Sequence, residues 1–315
     1  MGTSRSEARR MVPALGTVAL LLCAAGCAAF RDRPAPPRPW TVPAPTWQWQ
    51  LTGALDTSVD ADVFLLDPVT TTADDAQLLH SRQRRLICYV EAGAVRRTDP
   101  DATRFPAAAV GGPVGPPTPP AAGVTVAPPG GTGGVGPATP AFTPTGTPLS
   151  SRPADPDRAT GGDARWLDVR RWDVLEPVLT DRLRLCRGKG FDGVAFGRVD
   201  GWAYRTGFPL TFDDGLAFNR RLAALAHSLS LSAGLVDDLP QVAALQPDFD
   251  FAVNQECVRY RQCDRLQPFA GAGKPVLHVE YTGRTAEFCT TSLGYGFASM
   301  RKDRTLGVWR QPCLR

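Results

Sequence analysis

Seven carboxylates stand at or just past the ends of apolar runs: Asp67, Glu91, Asp200, Asp237, Asp238, Glu256 and Glu280. Paired carboxyls can divide the work of cleaving a glycosidic bond. One protonates the leaving oxygen; the other attacks the sugar or activates a water. Trp47, Trp49, Tyr89, Trp202 and Tyr281 offer flat faces for sugar rings. Structural roles compete for all of these residues, because an Asp at a strand end often fixes a loop and a Trp more often packs than binds. The three histidines, His80, His227 and His278, are too dispersed for a metal site, and no CxxC pair accompanies them. No glycine-rich phosphate loop follows the first strand-like run. The sequence therefore predicts neither a metal nor a cofactor.

The elements that must position these groups alternate. Strand-like apolar runs occupy 62–67, 85–91, 190–199, 232–238, 250–256, 275–281, 294–300 and 306–311. Continuous apolar runs are what strands buried on both faces look like. Helical spacing of apolar residues marks 168–188 and 213–229. Roughly eight such units in about 220 folded residues predict a compact parallel (β/α)8 barrel, with a doubly wound open sheet as the alternative. Barrel sites are built at the C-terminal ends of the strands, where the seven carboxylates fall.

Composition sets the limits. The chain of 315 residues holds 30 Pro and 31 Gly, but these are concentrated rather than spread. One cluster is a Pro-rich stretch in 27–46, read as a tether; the other is the Pro/Gly/Thr-rich tract 111–162, read as a disordered insertion within the barrel domain 47–315. A formal net charge of +4 with no basic stripe speaks against nucleic-acid binding. Residues 1–26 carry Arg5, Arg9 and Arg10 before an apolar run and end in Ala24-Ala25-Gly26, directly before Cys27. That is a signal peptide with the small-residue pattern of a bacterial lipobox, so Cys27 is the expected lipidation site and the chain is expected on the outer face of the cell membrane. Cleavage there removes three arginines and one glutamate, so the mild positive charge belongs partly to the signal. Six cysteines then remain. Cys257 with Cys263 and Cys289 with Cys313 are the disulfide candidates, and Cys88 and Cys186 read as core thiols.

Several segments, taken in order, resemble glycoside hydrolase family 114, the endo-α-1,4-polygalactosaminidase-like TIM barrels. They include Trp47-Gln48-Trp49-Gln50-Leu51, Asp67, Ile87-Cys88-Tyr89 followed by Ala92-Gly93, and Trp166-Leu167-Asp168-Val169-Arg170. Gly190-Phe191-Asp192-Gly193-Val194, Val199-Asp200-Gly201, Asn219, Asp250-Phe251-Ala252-Val253-Asn254, Cys257, Cys263-Asp264 and Val279-Glu280-Tyr281 continue the series. The resemblance implies a carbohydrate cleft that takes a cationic amino-sugar polymer, here an α-1,4-linked galactosamine-type polysaccharide, through acidic side chains. Asp67, Tyr89, Glu91, Trp202, Asp238, Glu280 and Tyr281 are the candidate sugar contacts, and Asp67, Tyr89 and Glu280 among them match family positions. A monomer is expected.

The chain departs from the family where catalysis is expected. The family motif looks like DGVEPDNVDGY; here Ala195-Phe196-Gly197-Arg198 stands in place of its Glu-Pro-Asp-Asn, so the expected catalytic Asp is Gly197. The family's NEQC motif is here Asn254-Gln255-Glu256-Cys257, so the expected catalytic Glu is Gln255. Glycine does no proton chemistry, and an amide transfers no proton near neutral pH. A strand's period of two turns Glu256 to the opposite face from residue 255, unless a bulge intervenes. The sequence therefore predicts a surface-anchored sugar-binding barrel with impaired hydrolysis. Two alternatives stand beside it. One is an active endo-glycosidase using Asp200 and Glu256. The other is an envelope scaffold whose cleft is filled by Phe196, Arg198 and Trp202.

Overall fold

The computed structural model describes residues 1–2, 45–115 and 163–314. The predicted signal peptide, nearly all of the tether and most of the 111–162 tract lie outside the described residues.

Eight parallel strands run in sequence order: β1 (Trp47–Gln50), β2 (Val63–Leu66), β3 (Arg85–Glu91), β4 (Gly193–Gly197), β5 (Ser232–Val236), β6 (Phe251–Gln255), β7 (Val276–Glu280) and β8 (Ala298–Lys302). Each pairs with the next in parallel register. The sequence alternates strand and helix because each strand has two apolar faces to cover. Trp47, Trp49, Val63, Leu65, Ile87, Ala195, Phe251, Val253, Leu277, Val279, Ala298 and Met300 fill the barrel interior. The intervening residues, among them Phe64, Leu86, Cys88, Val194, Leu235 and Ala252, face the helical layer. That layer comprises α1 (Ala73–Ser81), α2 (Trp172–Gly188), α3 (Phe212–Ser228), α4 (Val242–Leu245), α5 (Gln267–Gly271) and α6 (Thr285–Gly294). Thr72 with Asp75 and Thr211 with Asp214 form capping boxes that start α1 and α3.

Three expectations need correction. The run 306–311 is not a barrel strand. Only Arg310–Pro312 (β9) is extended there, and it folds back antiparallel on β8. The first barrel strand is instead β1, whose alternating Trp and Gln did not read as an apolar run. The run 294–300 also begins too early, because Gly296 at φ +82° reverses the chain after α6 and strand geometry starts at Ala298. Finally, residues 111–113 of the tract expected to be disordered belong to a strand, Val110–Pro113. It joins Ala94–Val95 and Arg165–Leu167 in a small antiparallel sheet.

The barrel closes without a strand ladder between β1 and β8, through the Leu51 N–H to Leu306 O bond (2.9 Å) and a set of side-chain contacts. Trp47 Nε1 donates to Ala298 O (2.9 Å), Gln48 Nε2 to Val308 O (2.7 Å) and Arg310 Nη1 to Trp47 O (3.0 Å). Lys302, fully buried, donates to Gln48 Oε1 (3.1 Å) and Gly307 O. Burial pushes its ammonium down to about 8.

Both expected disulfides form, Cys257–Cys263 and Cys289–Cys313. Cys88 and Cys186 are not free core thiols; they form a third. Cys88 faces outward from β3, and Cys186 continues the buried stripe Leu175, Val178, Leu179, Leu183 of α2. The two faces meet, and so do the sulfurs.

Candidate active site

Three consecutive strands end in non-glycine residues with left-handed backbone. Arg198 follows β4 (φ 59°), Asp237 and Asp238 follow β5 (φ 59° and 46°), and Glu256 follows β6 (φ 63°). Each such residue costs about 1–3 kcal/mol, so the surrounding contacts must hold it. The kinks break the in–out alternation that strand spacing implies, and they redirect the acidic side chains.

Asp237 becomes the hub at the barrel mouth. Its Oδ1 accepts from Asn254 Nδ2 (3.0 Å) and the Gln255 backbone N–H (3.0 Å), and its Oδ2 accepts from Gln255 Nε2 (2.8 Å). The other end of the Gln255 amide, Oε1, accepts from the Tyr281 hydroxyl (2.7 Å). The two partners fix the amide's orientation, one supplying a proton and the other accepting one. Burial, with Asp237, Tyr89 and Glu256 nearby, pushes the Tyr281 phenol far up against the opposing pull of Arg304, so it stays neutral.

Beside this chain, Gly197 faces Tyr89. A Cβ at 197 would lie 2.7 Å from Tyr89 Cζ, so the tyrosine ring occupies the space a side chain there would need. Trp49 packs against the same tyrosine at 5.7 Å between ring centroids. The Trp49 indole is 1% exposed, and its Nε1 has no hydrogen-bond partner among the described residues.

Of the remaining carboxylates, Glu256 and Asp67 are engaged, Glu91 is engaged through one oxygen only, and its buried Oε2 has no partner among the described residues. Glu256 is buried, and its Oε1 accepts from Arg259 Nη1 (2.7 Å) and Arg304 Nη2 (3.1 Å). Arg304 lies over the Tyr281 ring at 4.7 Å. The kink at Glu256 is the irregularity that a shift of its carboxylate required, but it delivers the group to two guanidiniums. Asp200 shares no partner with it. Glu91 Oε1 pairs with Arg96 (2.8 Å) and, more distantly, Arg198 (3.8 Å). Asp67 accepts from the Val69 N–H (2.7 Å) and shapes the turn after β2.

Asp238 is buried between Trp202 Nε1 (3.2 Å) and Asn219 Nδ2 (2.9 Å). Burial and the neighbouring Asp200 hold its carboxyl well above the usual range, against the hydrogen bonds from Trp202 and Asn219. Trp202 is itself packed, edge-on to Phe212 at 5.0 Å and against Gly215, where a Cβ would stand 2.9 Å from its Cγ. It supports Asp238 from behind.

One implied sugar contact is misplaced. Glu280 has outward parity on β7, is 2% exposed, and accepts from His278 Nε2 (3.0 Å) and the backbone N–H groups of Val258 (2.9 Å) and Arg259 (3.3 Å). It anchors the loop closed by Cys257–Cys263. Cys257, Cys263 and His278 form the only ligand-like His/Cys/carboxylate group among the described residues, but its two sulfurs are bonded to each other. Sequence reasoning brought Tyr89, Tyr281 and Asp238 to this end of the barrel and missed Arg259, Arg304 and the hub role of Asp237. Asp237 carried a signal, the Asp-Asp pair ending a strand; Arg304, 48 residues from Glu256, carried none.

The solved structure of Aspergillus fumigatus Ega3 in complex with galactosamine superimposes with a TM-score of 0.68 at 24% identity, covering 90% of this chain and 100% of that one. The glycoside hydrolase domain of PelA from Pseudomonas aeruginosa gives 0.55 at 10% identity, with 84% and 98% covered. Both have the same barrel fold. No curated protein matches the chain in sequence. The family model described as "Glycoside-hydrolase family GH114" matches residues 30–118 and 152–315. It takes in every barrel strand and both sides of the intervening tract, and the protein belongs to glycoside-hydrolase family GH114.

Proposed function

We propose that this chain is an exported lipoprotein, anchored through Cys27 on the outer face of a bacterial membrane, whose barrel binds an α-1,4-linked galactosamine-type polysaccharide and hydrolyses it poorly. The observation that carries the impairment is the pair of positions at the mouth. Gly197 lies under Tyr89, and Gln255 is locked between Tyr281 and Asp237. A positioned acid or base contributes roughly 10²–10⁴-fold to catalysis, and neither residue can act as one. Membership of a glycoside-hydrolase family and the galactosamine bound by Ega3 support the ligand class. The Ala24-Ala25-Gly26-Cys27 sequence supports the anchor.

Incubation with α-1,4-galactosamine oligomers tests the reading, with binding and released reducing ends measured together. Binding without release is expected. Turnover that disappears in Glu256→Gln would overturn the impairment in favour of the Asp200 and Glu256 pair. Neither binding nor release would favour a scaffold. Fatty-acid labelling that survives Cys27→Ala would remove the anchor.

A further inference from the structure

A cavity of about 290 Å³ opens at the C-terminal ends of β1 and β2. The end of β1 and the loop after it supply Gln50, Leu51, Ala54 and Leu55; the end of β2, its loop and the first turn of α1 supply Leu66, Thr70, Thr71 and Asp75. None of the lining residues comes from β3 to β8, so the cavity shares no side chain with the groups around Gly197 and Gln255.

Its lining sets the chemistry of an occupant. Leu51, Leu55 and Leu66 give it an apolar share. The polar share consists of acceptors and hydroxyls. Gln50 spends its Nε2 on Thr52 O (3.3 Å) and Ala54 O (2.7 Å), while its Oε1 meets only the Asp56 N–H, at 3.4 Å. Asp75 spends Oδ2 on the capping box with Thr72, and its Oδ1 has no hydrogen bond among the described residues. The hydroxyls of Thr70 and Thr71 have none there either. No Lys, Arg or His side chain takes part in the lining. A fitting ligand must bring several donors, a C–H surface for the leucines and no negative charge. A pyranose ring with free hydroxyls meets all three demands. The volume lies at the lower end of the range of about 300–1,000 Å³ common for ligand pockets, which suits a single ring. The loop that carries Thr70 and Thr71 begins at Asp67, on the face where barrel sites are built. Resting on the polysaccharide reading above, we propose that this cavity is an outlying subsite that takes a non-anionic sugar ring of the same polymer chain whose other rings occupy the mouth.

Calorimetric titration of the full chain with α-1,4 galactosamine oligomers, from dimer to octamer, tests this. Once an oligomer is long enough to reach both places, its affinity is expected to exceed that of the dimer by at least about tenfold, because the second contact is then intramolecular. Ala54→Trp places a large ring in the cavity from an exposed position. It is expected to remove the rise and leave the dimer at its natural affinity. Thr70→Trp, from the other loop, is expected to remove the rise as well. An octamer that binds no more tightly than the dimer overturns the subsite and leaves the polysaccharide reading standing. A rise that persists in the folded variants overturns the assignment to this cavity. Equal losses for dimer and octamer in Ala54→Trp overturn its independence from the mouth. If one variant does not fold, the other decides; if neither folds, a flat length series on the natural chain still overturns the subsite. Absence of binding at every length removes the polysaccharide reading and the subsite with it.

Discussion

Replacing Gln255 by Glu would put two carboxyls where an amide now donates to a carboxylate. Gln255 Nε2 lies 2.8 Å from Asp237 Oδ2, and an oxygen in its place makes that contact repulsive unless a proton sits between them. With charges about 4 Å apart at an effective dielectric of about 20, the repulsion is about 4 kcal/mol, or about 3 pKa units. The pair should then titrate as a dyad that keeps one proton up to about pH 7, whereas a free Glu loses it near about 4.3. The folded-state pKa is raised, so the native dyad is unstrained below about pH 4 and loses stability as pH rises. Relative to the natural chain, Gln255→Glu should lose up to about 4 kcal/mol between about pH 4.5 and pH 8, with most of the loss complete near pH 7. Denaturant unfolding of both proteins at several pH values measures the gap. A gap that does not change with pH would refute the reasoning, since it would mean that Asp237 and residue 255 do not face each other as described.

Three further outcomes follow from the same contacts. Gly197→Asp with Gln255→Glu should release reducing ends from galactosamine oligomers only when Tyr89 is also shortened to Ala, because its ring fills the space at 197; full activity with Tyr89 intact would show that the ring moves aside freely. Lys302 has a folded-state pKa of about 8, below the unfolded value, so the unfolded chain binds the extra proton and stability should rise with pH in that window. Against Lys302→Met, the natural chain should gain roughly 1.5 kcal/mol between about pH 8 and pH 9.5, and parallel pH profiles would contradict this. Cys88–Cys186 joins residues 98 apart and Cys257–Cys263 residues 6 apart. By loop-closure entropy, replacing the first pair with Ala should cost about 4–5 kcal/mol and the second about 2 kcal/mol; equal losses would argue against an entropic origin.

The barrel was readable because strands buried on both faces leave long apolar runs, and six of the eight barrel strands appeared as such in position. β1 did not, because its Gln48 and Gln50 are buried while bonding loop carbonyls, Gln48 across the closure and Gln50 in the loop after its own strand, a use of polar residues that no hydropathy pattern conveys. The mouth was readable only up to the last regular residue of each strand. Beyond it, left-handed residues at 198, 237, 238 and 256 undo the period of two on which facing was judged. Glu280 misled for the opposite reason: the regular period held through β7 and turned it outward. Residues 197 and 255 were legible through family resemblance, but the tyrosine over one and the locked amide at the other are products of packing.

The closure between β1 and the hairpin of β8 and β9 also bears on how the chain is made. Trp47 O waits for Arg310, a partner 263 residues later, so the barrel cannot shut until almost all of it has been synthesised. Contacts of such long range form slowly. In the interval, a nascent chain presents two open strand edges, β1 at the start and whichever strand was made last. Exposed edges recruit other strands. The arrival of the final hairpin is therefore the step that covers the β1 edge.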